Sequence, residues 1–257
     1  MAADTGKVKP LGVVILAAGK GTRMKNPDIA KVMYEINARP MVDYVVDLAG
    51  KLQAQRVLVI VGWQKESVVE HISKAYPNVE FIEQRKQMGT GHAVQQTTEA
   101  LKDFAGDLLV LSGDVPLLTE KTAQALLGYH RSSGAVASML TAELNDPSGY
   151  GRIVRNDDGS VQKIAEHKDA SKQEASIKEI NSGIYVFDKE KLFECLKQLS
   201  PANAQGEYYL TDVFAFFWQN TWKVSAVKVI DPVEVMGIND LHQLTQAREV
   251  MTARALS

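Results

Sequence analysis

The sequence predicts an α/β fold built on a mostly parallel, mixed sheet, and three observations lead there. Short, continuous Val/Ile/Leu runs alternate with longer amphipathic stretches through the first half of the chain. That is the pattern of βαβ units whose strands are covered on both faces. A loop of small and basic residues follows the first apolar run directly. The second half changes character: its alternating runs lie close together, and one pair is joined through an Asp-Gly.

In chain order, strands are expected at Gly12–Ala17, Arg56–Val61, Val79–Glu83 and Leu108–Ser112, each a run of strand length with apolar residues on both faces. Helices are expected between them at Met41–Leu52, Glu66–Ala75 and Thr90–Asp103, where apolar residues recur at helical spacing. Ala135–Leu144 reads as a long strand. Arg152–Arg155 and Val161–Ala165 flank Asn156-Asp157-Asp158-Gly159, a strong hairpin signal. Glu179–Asp188 and Lys223–Ile230 are further strands, and Lys189–Leu199, Glu207–Asn220 and Asp240–Ala255 further helices. No linker-like stretch and no internal repeat divides the chain. The expectation is a flexible N-terminus over residues 1–10, one continuous domain over 11–240 and a C-terminal helix over 241–257.

Composition removes several classes. The chain has 257 residues, 45% hydrophobic and 23% charged, ordinary for a globular protein. Its 29 Lys and Arg against 31 Asp and Glu give a formal charge of −2, so a protein bound to nucleic acid mainly through phosphates is disfavoured. The lone Cys195 excludes an internal disulfide framework and a CxxC zinc site. His71, His92, His130, His167 and His242 show no pairwise ligand spacing and read as non-ligands. Tyr208 and Tyr209 read as packing at the start of a helix. The first apolar run, Leu11–Ala18, is far short of the ~20 residues a membrane helix needs. A cytoplasmic enzyme or binding protein, with neither nucleic acid nor membrane as partner, is expected.

The most informative segment is Leu16-Ala17-Ala18-Gly19-Lys20-Gly21-Thr22-Arg23-Met24, followed by Lys31. At a strand's carboxyl end, small residues let backbone N–H groups approach a phosphate, and the cations add charge. It is not a P-loop, because GxxxxGK[ST] is absent, nor a dinucleotide fingerprint, because Met24 stands at the third glycine. Three cations suit a triphosphate better than a diphosphate bridge. A tight turn with solvated basic residues is the plain alternative. Asp114, just past the strand DLLVLS, is placed to hold Mg²⁺ beside substrate phosphates, with a turn or cap as its alternative.

Taken with these, the blocks MGTGHA (88–93, with Gln84 ahead of it), GDVPLL (113–118), DPSGYGRI (146–153), EHKDA (166–170), EINSGIY (179–185), NAQGEYYLTD (203–212) and GIND (237–240) follow one another in order. The chain resembles the nucleotidyltransferase domain of the bacterial N-acetylglucosamine-1-phosphate uridyltransferases over about residues 11–250. LAAGKGTRM marks only the wider superfamily; GYGRI, EHKDA and NAQGEYYLTD are more specific. The resemblance implies a Rossmann-like three-layer nucleotidyltransferase fold, with a nucleotide-binding half over about 11–118 and a sugar-binding half over about 119–240. It also implies UTP and N-acetylglucosamine 1-phosphate as substrates and Mg²⁺ as cofactor. By that resemblance Leu16, Ala17, Ala18, Gly19, Gln84, Gly89, Thr90 and Gly113 contact the nucleotide, and Arg23 and Lys31 neutralise its phosphates. Asp114 and Asn239 hold the metal, and Gly151, Glu166 and Asn181 hold the sugar. Another sugar 1-phosphate or nucleotide, or a non-catalytic nucleotide-sugar-binding module, are the competing readings.

The chain departs from the family pattern in three places. Ser112 stands where an aromatic or other residue is common, and Ala30 where proline is usual, in a loop about one residue longer. Bifunctional members continue into a left-handed β-helix of hexapeptide repeats, whereas this sequence stops at Ser257. The expectation is therefore no acetyltransferase activity and a monomer or weak dimer.

Overall fold

The structure, a computed structural model, describes residues 9–24, 26 and 28–256. The strands are β1 (Leu11–Ala17), β2 (Glu35–Ile36), β3 (Arg39–Pro40), β4 (Arg56–Val61), β5 (Glu80–Glu83), β6 (Asp107–Ser112), β7 (Ala137–Glu143), β8 (Gly151–Arg155), β9 (Val161–Ala165), β10 (Glu179–Asp188) and β11 (Val224–Lys228). The helices are α1 (Met41–Lys51), α2 (Lys65–Ala75), α3 (Thr90–Gln95), α4 (Glu120–Ser133), α5 (Lys172–Ala175), α6 (Lys189–Leu196), α7 (Val213–Gln219) and α8 (Leu241–Leu256). The expected flexible N-terminus lies outside the described residues except for Lys9 and Pro10. Both are tied down, Lys9 to Asp188 at 3.1 Å and the Pro10 carbonyl to the Asp107 N–H at 2.9 Å.

The main sheet runs β11-β7-β10-β6-β1-β4-β5, with β8 on β10 and β9 on β8. β6, β1, β4 and β5 are mutually parallel; β10 runs antiparallel to both β6 and β7. Alternation along β1 explains the layers. Val13, Ile15 and Ala17 pack on one face with Val42, Val46, Val68 and Leu126 from α1, α2 and α4. Val14 points the other way, toward Val94, Leu192 and Phe214 from α3, α6 and α7. The apolar runs are continuous because both faces are covered. The expected three-layer α/β fold and mostly parallel mixed sheet are what the structure shows.

Three expectations need correction. The sequence reading omits α4, although Thr119 caps it by accepting from the Thr122 N–H at 3.2 Å and Gly134 ends it at φ 63°. Those are standard start and stop signals. The helix expected over Thr90–Asp103 stops at Gln95 and continues as turns. The helix expected from Glu207 begins only at Val213, after a 3-10 turn over Leu210–Asp212. Tyr208 is unavailable to a helix because its backbone is paired elsewhere: its N–H donates to Met88 O, and its carbonyl accepts from the Gly91 N–H, both at 2.8 Å.

The C-terminal helix α8 is part of the packed structure. Leu244 and Ala247 are buried with Met24, Ile36, Met41, Leu117 and Ile238. Arg248 donates to Glu35 O at 2.8 Å, and Arg254 to Leu117 O at 2.6 Å. Among the described residues no helix is long and apolar enough to cross a membrane.

Candidate active site

The site lies where the sheet changes direction of growth. From β1 the chain builds outward to β4 and β5, then returns to place β6 on the other side of β1. The loops leaving β1 and β6 therefore diverge and open a crevice at the strands' carboxyl ends, the usual ligand position in such sheets. A cleft of about 370 Å³ is lined there by Leu16, Ala17, Ala18, Gly19, Lys20 and Lys31, with Gln84, Gly89, Thr90 and Asp114 among the opposite wall. A second cleft of about 280 Å³ is lined by Gly151, Glu166 and Asn181 together with Tyr150, Tyr209 and Thr211. The two share Leu16, Thr90, Ser112 and Glu207, so they form one trough with Ser112 at the seam.

Local chemistry shapes the basic loop. Gly21 has φ 59°, and a Cβ there would lie 2.6 Å from Lys31 Cβ. Glycine thus lets the loop turn and Lys31 cross it closely. The Lys31 ammonium donates to Asp114 Oδ2 and, at 2.6 Å, to Asn239 Oδ1; Arg23 donates to the same Asn239 oxygen at 2.7 Å. Asn239 is itself held, its N–H by Gln243 Oε1 at 2.7 Å and its Nδ2 by Gly237 O at 3.0 Å. The start of α8 therefore supplies the support for this side chain.

A carboxylate and an amide oxygen thus converge on a single cationic point, at present the lysine ammonium. Hard oxygen donors of this kind fit Mg²⁺, whose other positions are commonly filled by water and phosphate. Among the described residues no group of three or more His, Cys, Asp or Glu side chains could hold a metal ion. A divalent ion at Asp114 and Asn239 would accordingly depend on oxygens from the substrate.

On the nucleotide side, Gln84 is only 3% exposed and donates from Nε2 to Gly89 O at 3.0 Å. The Thr90 hydroxyl accepts from the Leu210 N–H at 3.0 Å, which ties the loop before α3 to the turn before α7. Gly113 does not line the cleft. Its N–H bonds to Leu16 O at 2.9 Å, and a Cβ would stand 3.0 Å from Val32 Cγ1, so it acts as a close contact beneath the site.

On the other side, Gly151 of β8 pairs with Asn181 of β10, and the register of β10 on β7 shifts between Asn181 and Tyr185, where Gly183 takes φ 78°. Such bulges commonly re-aim a side chain beside a site. Asn181 donates to the Tyr185 hydroxyl at 2.6 Å. Burial raises the Glu166 carboxyl above its ordinary pKa, and Asp169 adds repulsion, while the Thr211 hydroxyl, donating at 2.7 Å, opposes the shift. Asp212 is pushed up to about 6 by burial and by the neighbouring Glu166 and Asp169.

The structure therefore brings the fifteen scattered positions of the sequence reading into one trough or its immediate support, Gly113 from below and Arg23 through Asn239. Sequence reasoning missed Thr211 and Glu207, which lie inside the NAQGEYYLTD block and could have been taken from it. Gln87, another lining residue, carries no comparable signal.

The profile of the family described as Nucleotidyl transferase matches residues 12–231. The chain belongs to the nucleotidyl transferase family. Curated relatives agree: the bifunctional protein GlmU of Acetivibrio thermocellus is 48% identical over 96% of this chain and 52% of its own length. The bifunctional protein GlmU of Pelotomaculum thermopropionicum is 44% identical over 96% of this chain and 53% of its own length. The chain spans about half the length of these relatives. A solved structure described as a glucose-1-phosphate thymidylyltransferase from Bacillus anthracis in complex with sucrose superposes with TM-score 0.74 at 18% identity, covering 93% of this chain and 94% of its own. At that identity it bears on the fold alone.

Proposed function

We propose that the chain transfers a uridylyl group from UTP to N-acetylglucosamine 1-phosphate, giving UDP-N-acetylglucosamine and pyrophosphate with Mg²⁺ as cofactor. The observation that carries this reading is the continuous trough, with the Gln84 wall at one end, the Glu166 and Asn181 wall at the other, and Lys31, Asp114 and Asn239 beside the join. The motif resemblance and the relatives named above support the choice of substrates.

In this reading the backbone of Leu16–Gly19, with Gln84, Gly89 and Thr90, holds the uridine, and Gly113 keeps the floor thin. Gly151, Glu166 and Asn181 hold the sugar, Glu166 accepting from a hydroxyl or amide N–H. No protein nucleophile is needed. A phosphate oxygen of the sugar phosphate forms a bond to the α-phosphorus of UTP. The bond from that phosphorus to the bridging oxygen breaks, and pyrophosphate leaves with its electron pair. Lys31 and Arg23 offset the repulsion between the two anions and the charge that develops on the leaving group, so catalysis consists of alignment and charge stabilisation. Mg²⁺ held by Asp114 and Asn239 would supply further charge neutralisation at the phosphates.

The test is pyrophosphate release by purified protein, with UTP, CTP, GTP, ATP and dTTP set against a panel of sugar 1-phosphates. Release confined to UTP with N-acetylglucosamine 1-phosphate, and abolished by EDTA, is expected. Release with another pair would reassign the substrates, and nucleotide-sugar binding without release would replace catalysis by a binding role.

A further inference from the structure

His92 lies on α3, two residues beyond Thr90, and the reaction proposed above makes no use of it. Its ring nevertheless fixes the one buried amide on the nucleotide wall. Gln84 has two hydrogens on Nε2: one meets Gly89 O and the other His92 Nδ1, each at 3.0 Å. A carbonyl oxygen can only accept, so the Gly89 contact decides which end of the amide is nitrogen. His92 Nδ1 must then accept, and the neutral ring carries its proton on Nε2. Gln96 Nε2 stands 3.2 Å from that second ring nitrogen but also donates to the His92 carbonyl at 3.1 Å. The Nε2–H tautomer requires the half-buried Gln96 to turn its amide, whereas the opposite tautomer would set two N–H groups against each other at the buried Gln84 or cost it the Gly89 bond. Burial holds the His92 imidazole below its ordinary pKa, in keeping with an acceptor role at neutral pH.

With both amide hydrogens committed, Gln84, which lines the cleft, has only Oε1 to offer a ligand. We infer that His92 is a positioning residue for base selection: its Nδ1 locks the Gln84 amide so that the cleft meets the nucleobase with an acceptor, and therefore selects a base with a ring N–H. The inference rests on the proposed nucleotide site at Gln84. Uracil, thymine and guanine carry such a donor; cytosine and adenine present a lone pair at the corresponding ring nitrogen. Without the imidazole only the Gly89 carbonyl still holds the amide, so a turn that offers its NH₂ to a cytosine costs one hydrogen bond instead of two.

The experiment compares kcat/KM for UTP and CTP, with Mg²⁺ and N-acetylglucosamine 1-phosphate, in the parent, His92→Phe and His92→Asn. The His92→Phe variant should lower the UTP:CTP ratio about 5- to 150-fold, the cost of an unmatched buried polar group, mainly through a higher KM for UTP. His92→Asn, whose side-chain oxygen restores an acceptor near Nδ1, should recover most of the ratio. A long-range ¹H–¹⁵N spectrum of the parent should show His92 as the Nε2–H tautomer, a readout independent of whether a variant folds. An unchanged ratio in a folded His92→Phe protein, an Nδ1–H tautomer, or a parent that prefers CTP or ATP would each overturn the inference. A parent that uses dTTP or GTP in place of UTP would refute the uridylyl assignment while supporting the role of His92.

Discussion

Replacing Gly89 with alanine adds one methyl group at the point where the nucleotide wall is pinned to the second half of the chain. Gly89 sits at φ 106° and ψ 172°, a region essentially confined to glycine, where another residue costs about 1–3 kcal/mol. The new Cβ would fall 2.5 Å from Tyr208 O, 2.8 Å from Tyr208 N and 3.0 Å from Glu207 Cβ. The two nearest atoms are backbone, and that backbone is itself paired with Met88 and Gly91, so it cannot simply move aside. Overpacking of this kind adds about 1–3 kcal/mol. The smaller entropy of the unfolded alanine chain returns about 0.4–1 kcal/mol. A net loss of about 2–5 kcal/mol follows, which at roughly 2–4 °C per kcal/mol for a chain of this size lowers Tm by about 4–20 °C. The control is Gly50→Ala in α1, where nothing lies within 4 Å of the added Cβ. There the gain in helix propensity, up to about 1 kcal/mol, should raise Tm slightly. Thermal unfolding followed by circular dichroism reads both variants. If Gly89→Ala melts with the parent, the argument that the loop is backed by immovable backbone is wrong.

Asp114→Ala and Arg23→Ala should each lose at least about 10²–10³ in turnover while keeping the parent's melting behaviour, because each removes charge stabilisation and little packing; near-parent pyrophosphate release in either purified variant removes that residue from the mechanism. Gly151→Ala should fold, since the new methyl meets Glu166 Oε2 and Ile164 Cγ2 at 3.4 Å with no closer backbone, yet it should raise KM for the sugar 1-phosphate and leave KM for UTP nearly unchanged. Asp212 should make stability depend on pH: its folded pKa of about 6 exceeds the unfolded value near 3.8, so its contribution is full below about pH 4 and is lost as pH rises through 6. Asp212→Asn should therefore gain on the parent at pH 7.5 relative to pH 4, by at most about 3 kcal/mol, and equal pH slopes in the two proteins would contradict this.

Much of the fold was legible because its signals are local. β1, β4 and β6 are continuous apolar runs whose alternate residues feed two different layers, and the Asp-Gly hairpin between β8 and β9 needs only neighbouring residues to specify it. The loop after β1, the residues after β6 and the block at Gly151 stand at strand ends, where a motif remains contiguous. The omission of α4 passed over local signals that were present, whereas the misread start of α7 reflects a distant partner overriding local preference. Tyr208 has helical surroundings in the sequence but is held out of the helix by Met88 and Gly91. By itself the sequence determined the strands of the main sheet, the covering of both its faces and the chemical types gathered at the strand ends, because hydrophobic periodicity and turn chemistry act over a few residues. Only the tertiary structure decided that Lys31 meets Asn239, 208 positions away, and that Gly89 dictates through Gln84 which nitrogen of His92 accepts. Those choices depend on the direction of hydrogen bonds across closed loops, and that direction exists only once the chain has packed.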